Sequence, residues 1–194
     1  MSRIEPAKKS ELSEELQVIL DQSMVTMGFI PNDALIMAKH PKLLHAFSQL
    51  VNTIYSFDSI SEETRSMVGL MASQASGCVY CIAHTSNSAL EKNIPVEKLK
   101  NIWEFENSDS FSGSEKAALR IAVNAAQTPN LISDEDFNDF KKYYDENQQM
   151  EILAIVSLFG FLNRWNSSLM TEIESIPSSR MKELEWRPLF SDSS

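Results

Sequence analysis

The sequence predicts an all-α fold, and three observations lead to that prediction. Apolar residues recur three and four positions apart through most of the chain, which is the spacing of one helical face. No stretch alternates polar and apolar residues as a half-buried strand would. The 194 residues include only five glycines and seven prolines, few for a loop-rich all-β chain. We expect one domain over 1–194, with an ordered core at 11–176, about eight helices and short connections.

Four helices are predicted in the first part of the chain. Pro41 suits the first position of the third helix, because a proline there loses no helical hydrogen bond. The segment Ser59–Glu62 has the form of a capping box, which would start the fourth helix. That helix is apolar over most of its circumference after the first turn, so we expect it at the centre of the fold. The predicted spans are 11–28, 34–39, 41–57 and 62–75.

The remainder of the chain is also predicted to be helical. Ser112–Glu115 has the form of a second capping box. The last long helix is almost uniformly apolar between Ile152 and Leu162, which predicts burial on all sides or at a subunit interface. The tail, 177–194, carries Trp186 and Phe190 and is a candidate to wrap a neighbouring subunit. The predicted spans are 77–93, 95–105, 115–126, 134–144 and 147–173, with a linker at 106–114.

The composition argues against several functional classes. The formal net charge is −10, so the chain lacks the basic field that a nucleic-acid binder needs. The longest apolar run, 152–162, is too short to span a membrane, and the N-terminus lacks the hydrophobic segment of a secretory signal. Two cysteines do not make a disulfide scaffold. We therefore expect a cytoplasmic protein with no nucleic-acid or membrane partner, in a reducing compartment where paired cysteines are more often catalytic.

The candidate reactive site is the stretch 77–85, which holds both cysteines and one of the three histidines. Cys78 and Cys81 are three residues apart, so on a helix they share a face, and His84 follows at the same spacing. Gly77 interrupts an apolar run and is typical of a helix boundary. At a helix start the unpaired N–H groups favour a thiolate, which is the nucleophilic form of cysteine.

The helix start alone is too weak to produce this thiolate. Half-ionising an ordinary thiol at pH 7 needs a pKa shift of about 1.5 units, or roughly 2 kcal/mol. A helix N-terminus usually supplies about 0.3–1 kcal/mol. A base or a further hydrogen bond is therefore also expected, and His84 is the nearest candidate.

Three other interpretations of the cysteines remain open. Two buried cysteines one turn apart could simply pack in the core. A structural zinc site needs four ligands, and His40 and His45 could complete one, but their spacing matches no familiar pattern. A thioredoxin-type CxxC normally follows a strand, and no strand is predicted. We expect no metal and no cofactor.

Two stretches of the chain resemble a known family. Cys-x-x-Cys-x-x-His-Thr at 78–85 is similar to the carboxymuconolactone decarboxylase family, and most to its alkylhydroperoxidase-D-like, peroxidase-related branch. The stretch 159–166, which ends in Asn-Arg-Trp-Asn, is similar to a C-terminal element of one branch of the same family. The likeness covers roughly residues 15–175.

The resemblance implies a multi-helix orthogonal bundle of the alkylhydroperoxidase-D-like type that is usually oligomeric, so we expect a homo-oligomer (dimer, trimer or hexamer). It also implies a CxxC that cycles between dithiol and disulfide while it reduces hydroperoxides. In that scheme Cys81 attacks the peroxide and becomes a sulfenic acid, Cys78 resolves it, and His84 belongs to a proton relay.

One member of the family's relay is absent from its expected position. Relatives carry a glutamate twelve residues before the first cysteine, and Ser66 occupies that position here. The candidates to replace it are Glu62, Glu63 and Glu115, although Glu115 also fits a helix cap. The candidate pocket residues, of which the last two could instead tie helices together, are Tyr80, Asn163 and Trp165.

The function implied by the resemblance is a thiol-dependent peroxidase or disulfide reductase of peroxiredoxin type, acting in antioxidant defence. Its partners are expected to be a small-molecule hydroperoxide and a thiol reductant that the sequence does not identify. Two alternatives remain. One is a lactone decarboxylase of the carboxymuconolactone type, a branch that does not need a CxxC. The other is a non-enzymatic redox-sensing oligomer, for which Ser66 is the motivation.

Overall fold

The structure, a computed structural model, describes residues 1–184, and in that range it contains ten α-helices and no β-strand. The prediction of an all-α fold is therefore confirmed. Short 3₁₀ helices at Lys9–Glu11 and Ile102–Glu104 complete the regular structure. The α-helices are α1 (Glu14–Met27), α2 (Asn32–Met37), α3 (Pro41–Tyr55), α4 (Glu62–Ala75), α5 (Val79–Glu91), α6 (Val96–Lys100), α7 (Gly113–Ala125), α8 (Asp134–Phe140), α9 (Glu146–Leu169) and α10 (Ser175–Glu183).

The central helix is α4, as its apolar circumference predicts. Every residue from Thr64 to Gln74 is buried, and α4 packs against α5, α7 and α9. Met67, Leu70 and Met71 are almost completely removed from solvent and join the main core. Because neighbouring helices pack around α4, they also fix the position of the turn that follows it. This turn leads to the two cysteines.

A second, smaller core joins α1, α2 and α3 and lies against α9. Helix α1 is capped at its C-terminal end by Gly28, whose φ of 76° is in the left-handed region that favours glycine. The chain then turns so that Phe29 contacts the ring of His84, and the N–H of Asp33 lies 3.4 Å from the hydroxyl oxygen of Tyr80. This small core therefore positions residues 29–33 over α5.

The start of α4 differs from the prediction. The N-cap is Ser61, whose hydroxyl accepts a hydrogen bond from the N–H of Thr64. Ser59 instead donates its N–H and its hydroxyl to Glu151 Oε2, at 3.0 and 2.6 Å. A carboxylate that is only 1% exposed must be hydrogen-bonded, and this need outweighs the local capping pattern. The second predicted capping box, Ser112–Glu115, is confirmed.

Helix α9 is the longest helix, and it is not buried on all sides. Ile152, Ile155 and Phe159 lie in the core, whereas the side chains of Met150 and Phe161 are exposed on the surface of the single chain. No helix within residues 1–184 has the length and hydropathy that a membrane crossing requires.

The C-terminal region also differs from the prediction. Helix α9 ends at Leu169, because Met170 adopts a left-handed φ of 49°, and does not continue to Ile173. A further helix, α10, forms from residues assigned mostly to the tail, and it packs against α5. Trp186 and Phe190, the proposed contacts to a neighbouring subunit, lie outside the described residues.

Replacing Gly69 with alanine is expected to destabilise the fold by about 1–3 kcal/mol, the usual cost of overpacking a core. The new methyl group would lie 2.6 Å from Cε2 of Phe159, so α4 and α9 would have to separate or the ring would have to move. The matched control is Gly160→Ala, where the nearest atom is Arg164 Nη1 at 3.6 Å. Chemical denaturation should rank Gly160→Ala at or above the parent protein, and equal losses in both variants would contradict the packing argument.

Candidate active site

Cys78 and Cys81 lie at the start of α5, just after the turn that ends α4. Gly77 forms this turn with a φ of 65°. Cys78 is the N-cap of α5, and its Sγ accepts a hydrogen bond from the N–H of Cys81 at 3.5 Å. Both cysteines are free thiols, and both are buried, with exposures of 1% and 2%. Both sulfurs are therefore shielded from water.

The surroundings of Cys78 favour its thiolate. Its pKa is lowered from 9.0 to about 7, first by the hydrogen bond from the Cys81 thiol. Burial acts in the opposite direction, but the hydroxyl of Ser167 and the backbone N–H groups of Cys81 and Tyr80 add to the lowering. Hydrogen bonds to the charged form are the expected way to stabilise an anion at a helix N-terminus.

The surroundings of Cys81 favour its thiol. Burial raises the pKa of Cys81 well above its ordinary value, and the hydrogen bond and negative charge of Cys78 raise it further. The carboxylate of Asp33 acts in the same direction, and only the amide of Asn166 opposes it. A thiolate on Cys78 therefore disfavours a second negative charge on Cys81.

His84 is paired with Glu174, a residue that the sequence patterns did not single out. His84 Nε2 lies 2.6 Å from Glu174 Oε2, and the Tyr80 hydroxyl donates to Glu174 Oε1 at 2.9 Å. The rings of Tyr80 and His84 stack with centroids 4.2 Å apart. Burial opposes the ionisation of Glu174, but the hydrogen bond and the charge of His84 outweigh it and hold the pKa of this carboxyl below its ordinary value.

The three acids proposed for the relay have partners away from His84. Lys98 Nζ lies 2.7 Å from Glu63 Oε1 and 2.5 Å from Glu115 Oε1. Glu115 also completes the capping box of α7. Glu62 is mostly exposed and lies 3.9 Å from Lys92 Nζ. Lysine partners and a helix start therefore account for these carboxylates, and the acid beside the histidine comes from the connection between α9 and α10.

A second polar chain reaches Cys81 from α2. Asn166 Nδ2 lies 3.0 Å from Asp33 Oδ2 and 3.6 Å from Cys81 Sγ. Burial raises the pKa of Asp33 above its ordinary value, and the charge of His84 and the hydrogen bond from Asn166 oppose this shift without cancelling it. The two sulfurs, the imidazole and two carboxyl groups thus form one cluster at the meeting point of α2, α5 and α9.

The remaining candidates have contacts that favour structural roles. Asn163 Nδ2 donates to Ala72 O at 3.2 Å, which ties α9 to α4. Trp165 stacks on Phe161 and packs against the smaller core. His45 forms a surface pair with Glu15 at 3.3 Å. Among residues 1–184, no three histidine, cysteine or acidic side chains converge in a way that could hold a metal ion.

The sequence analysis did not identify two residues of the site, Asp33 and Glu174. Glu174 is 90 positions from the histidine it contacts, and Asp33 is 133 positions from Asn166. Neither belongs to a spacing pattern. The only signal was Ser66 itself, because a missing relay acid requires a carboxylate from another segment.

Alkylation of reduced protein with iodoacetamide is expected to modify Cys78 at a rate that follows its thiolate fraction. Because the pKa of Cys78 is lowered to about 7, the rate should rise through pH 7 and level off above it, rather than rising through pH 9. Mass spectrometry of the labelled peptide separates the two sulfurs, and Cys81 is the internal control with little labelling in this range. A midpoint near pH 9 for Cys78 would contradict the proposed stabilisation.

Comparison with known sequences assigns the middle of the chain to a described family. The sequence model of the carboxymuconolactone decarboxylase family matches residues 41–124. The uncharacterized protein YdfG of Bacillus subtilis (strain 168) is 27% identical over 109 residues, which cover 56% of this chain and 72% of that protein. The uncharacterized protein YnjA of Escherichia coli (strain K12) is 28% identical over 105 residues, covering 54% of this chain and 58% of that protein.

Comparison with solved structures extends the likeness to nearly the whole chain. The debrominase Bmp8 in its apo form is 32% identical, with a TM-score of 0.86 over 93% of this chain and 97% of that chain. A cysteine-to-alanine variant of the same debrominase, in complex with 2,3,4-tribromopyrrole, gives a TM-score of 0.87. A peroxidase-related protein with an alkylhydroperoxidase AhpD core from Ralstonia eutropha JMP134 is 17% identical, with a TM-score of 0.79 over 91% and 94% of the two chains, and shares the fold.

Proposed function

The chain belongs to the carboxymuconolactone decarboxylase family, and on that basis we propose that it is a dithiol-dependent peroxidase that reduces small hydroperoxides with Cys78 and Cys81. The family and the neighbouring debrominase indicate an enzyme. The observation that carries the proposal is the arrangement of the two buried cysteines at the start of α5, where Cys78 Sγ accepts the N–H of Cys81 and His84 on the same helix is paired with Glu174. These surroundings lower the pKa of Cys78 to about 7 and raise the pKa of Cys81.

The proposed reaction begins when the Cys78 thiolate attacks the terminal oxygen of the hydroperoxide. An S–O bond forms, the O–O bond breaks, and the alkoxide leaves with a proton from the group of His84, Tyr80 and Glu174 as the alcohol. Cys78 is then a sulfenic acid. Cys81 attacks its sulfur, the S–S bond forms, and hydroxide leaves with the proton of Cys81 as water.

The cycle closes when an external thiol reductant returns two electrons to the disulfide. Such a reductant and a reducing compartment are available in a cytoplasm, which is the location we propose. We also propose a homo-oligomer of two, three or six chains. The exposed apolar side chains of α9, including Met150 and Phe161, are consistent with such an assembly.

Turnover of tert-butyl hydroperoxide with dithiothreitol as reductant tests this proposal. His84→Gln is expected to lower kcat by about a hundredfold, because the imidazole can carry a proton and lies beside both Tyr80 and Glu174. The matched control is His45→Gln, which also removes a histidine paired with a glutamate but lies on the surface. Hydroperoxide consumption no faster than that of iodoacetamide-blocked protein, or equal losses in both variants, would contradict the proposal.

A second candidate function is reductive debromination of an aromatic ring. The observation that favours it is the 32% identity to the debrominase Bmp8 across nearly the whole chain. The same dithiol could act there: the thiolate takes bromine from carbon, the carbanion takes a proton, and the second sulfur displaces bromide to form the disulfide. Release of bromide from a brominated pyrrole, measured beside hydroperoxide consumption, separates the two functions.

A further inference from the structure

Cys81 lies at the end of a short hydrogen-bonded chain that starts at Asp33. Asn166 Nδ2 bonds Asp33 Oδ2 at 3.0 Å and Cys81 Sγ at 3.6 Å. Asn166 is 1% exposed and Asp33 is 8% exposed, so water does not compete for these bonds. The NH₂ end of the amide faces both groups, so one of its two hydrogens serves the Asp33 oxygen and the other serves the sulfur.

We propose that Asp33 and Asn166 are a positioning pair that sets the order in which the two cysteines react. The carboxylate disfavours a second negative charge at Cys81 while Cys78 is the thiolate. The amide then stabilises Cys81 as it loses its proton to resolve the oxidised Cys78. The inference rests on the proposed dithiol function. It adds that Asp33 and Asn166 determine which cysteine attacks and which one resolves.

The charges around Cys81 explain why its ionisation would become easier during the cycle. Cys81 faces two anionic groups, the Cys78 thiolate and Asp33. Oxidation of Cys78 to the sulfenic acid removes the first of these charges, and the Asn166 hydrogen bond remains. Ionisation of Cys81 is therefore hindered before the attack on substrate and becomes easier after it.

The ionisation of Asp33 depends on burial and on its neighbours. Burial raises the pKa of Asp33 most, His84 on α5 and the hydrogen bond from Asn166 lower it, and Glu174, from the connection between α9 and α10, raises it. The backbone N–H of Asp33 also donates a hydrogen bond to the Tyr80 hydroxyl. The Tyr80 hydroxyl donates in turn to Glu174, which is paired with His84, so Tyr80 links the two polar chains of the site.

The test measures ionisation of the sulfurs directly and needs no substrate. The full-length reduced protein is labelled with ¹³C at the cysteine Cβ, and the chemical shifts of Cys78 and Cys81 are followed against pH up to about 10. The two resonances are assigned with Cys78→Ser and Cys81→Ser. Failure of hydroperoxide turnover would refute the proposed function without affecting this measurement.

Two variants of the pair are expected to move Cys81 in opposite directions. Asp33→Asn keeps an oxygen for the Asn166 amide but removes the charge, so the Cys81 thiolate should be about tenfold more abundant at the same pH. Asn166→Ala removes the donor, so the Cys81 thiolate should be about fivefold less abundant. General damage to the fold would not produce opposite signs at one sulfur.

The matched control is Asn163→Ala. Asn163 is a buried asparagine one turn away on α9, and its side chain donates to Ala72 O instead of to the cysteine site. It is expected to leave the Cys81 titration unchanged. An unchanged Cys81 titration in Asp33→Asn, or a lower Cys81 pKa in Asn166→Ala, would overturn the inference. Should Asp33→Asn fail to fold, the direction of the shift in Asn166→Ala decides the question alone.

Discussion

The Cys78→Ser variant is expected to lose hydroperoxide turnover by at least about a thousandfold, the usual consequence of removing a nucleophile. A serine hydroxyl does not ionise near neutral pH, so the hydrogen bonds that lower the pKa of Cys78 to about 7 would have no thiolate to stabilise. Steady-state consumption of tert-butyl hydroperoxide with dithiothreitol measures the loss.

The companion variant Cys81→Ser separates attack from resolution. It keeps a hydroxyl donor beside Cys78, so the thiolate should still form and consume one equivalent of hydroperoxide. Cys78 should then remain as a sulfenic acid, which a dimedone probe would label and peptide mapping would locate. Sulfenic acid found on Cys81 in the Cys78→Ser protein, with turnover retained, would contradict this order and restore the one that the resemblance implied.

The Glu151→Ala variant is expected to lose about 3–5 kcal/mol of unfolding free energy, the usual cost of removing one partner of a buried ion pair. Arg65 Nη2 lies 2.6 Å from Glu151 Oε1, and the side chains are only 7% and 1% exposed. Arg65 Nε already lacks a hydrogen-bond partner. Without the carboxylate, the Arg65 charge would remain buried, and both hydrogen bonds from Ser59 would be lost. Guanidinium denaturation measures the change.

Two controls identify the cause of that loss. Adding Arg65→Met to Glu151→Ala removes the unpaired charge and should recover a large part of the free energy of unfolding. Glu183→Ala breaks the exposed pair of Arg180 and Glu183 at 2.9 Å and should change the stability by less than about 1 kcal/mol. If Glu151→Ala were as mild as Glu183→Ala, the buried pair would not have the role described here.

Helix boundaries could be predicted wherever local chemistry decides them. Gly28 ends α1 with a left-handed φ that glycine adopts without strain. Ser112–Glu115 starts α7 because both halves of a capping box lie within four residues. The prediction was wrong at Ser59, where a buried carboxylate from α9 takes the donors that a local cap would have used.

The same distinction between local pattern and tertiary packing applies to the residues of the candidate site. The two cysteines and His84 follow one another at helical spacing, so the sequence predicted that they belong together. Glu174 and Asp33 could not be placed with them, because they come from other elements and are joined to the site only by packing. The pKa of each sulfur could not be predicted from the sequence either, since it depends on burial and on charges that three-dimensional contacts supply.

The sequence by itself determined that this chain is all-helical and that α5 begins with two cysteines, because periodicity and capping act over a few residues. Only the tertiary structure decided which acid pairs with the histidine and which groups surround each sulfur. The reason is that a pKa responds to every charge and every hydrogen bond within several ångströms, whichever segment of the chain provides them.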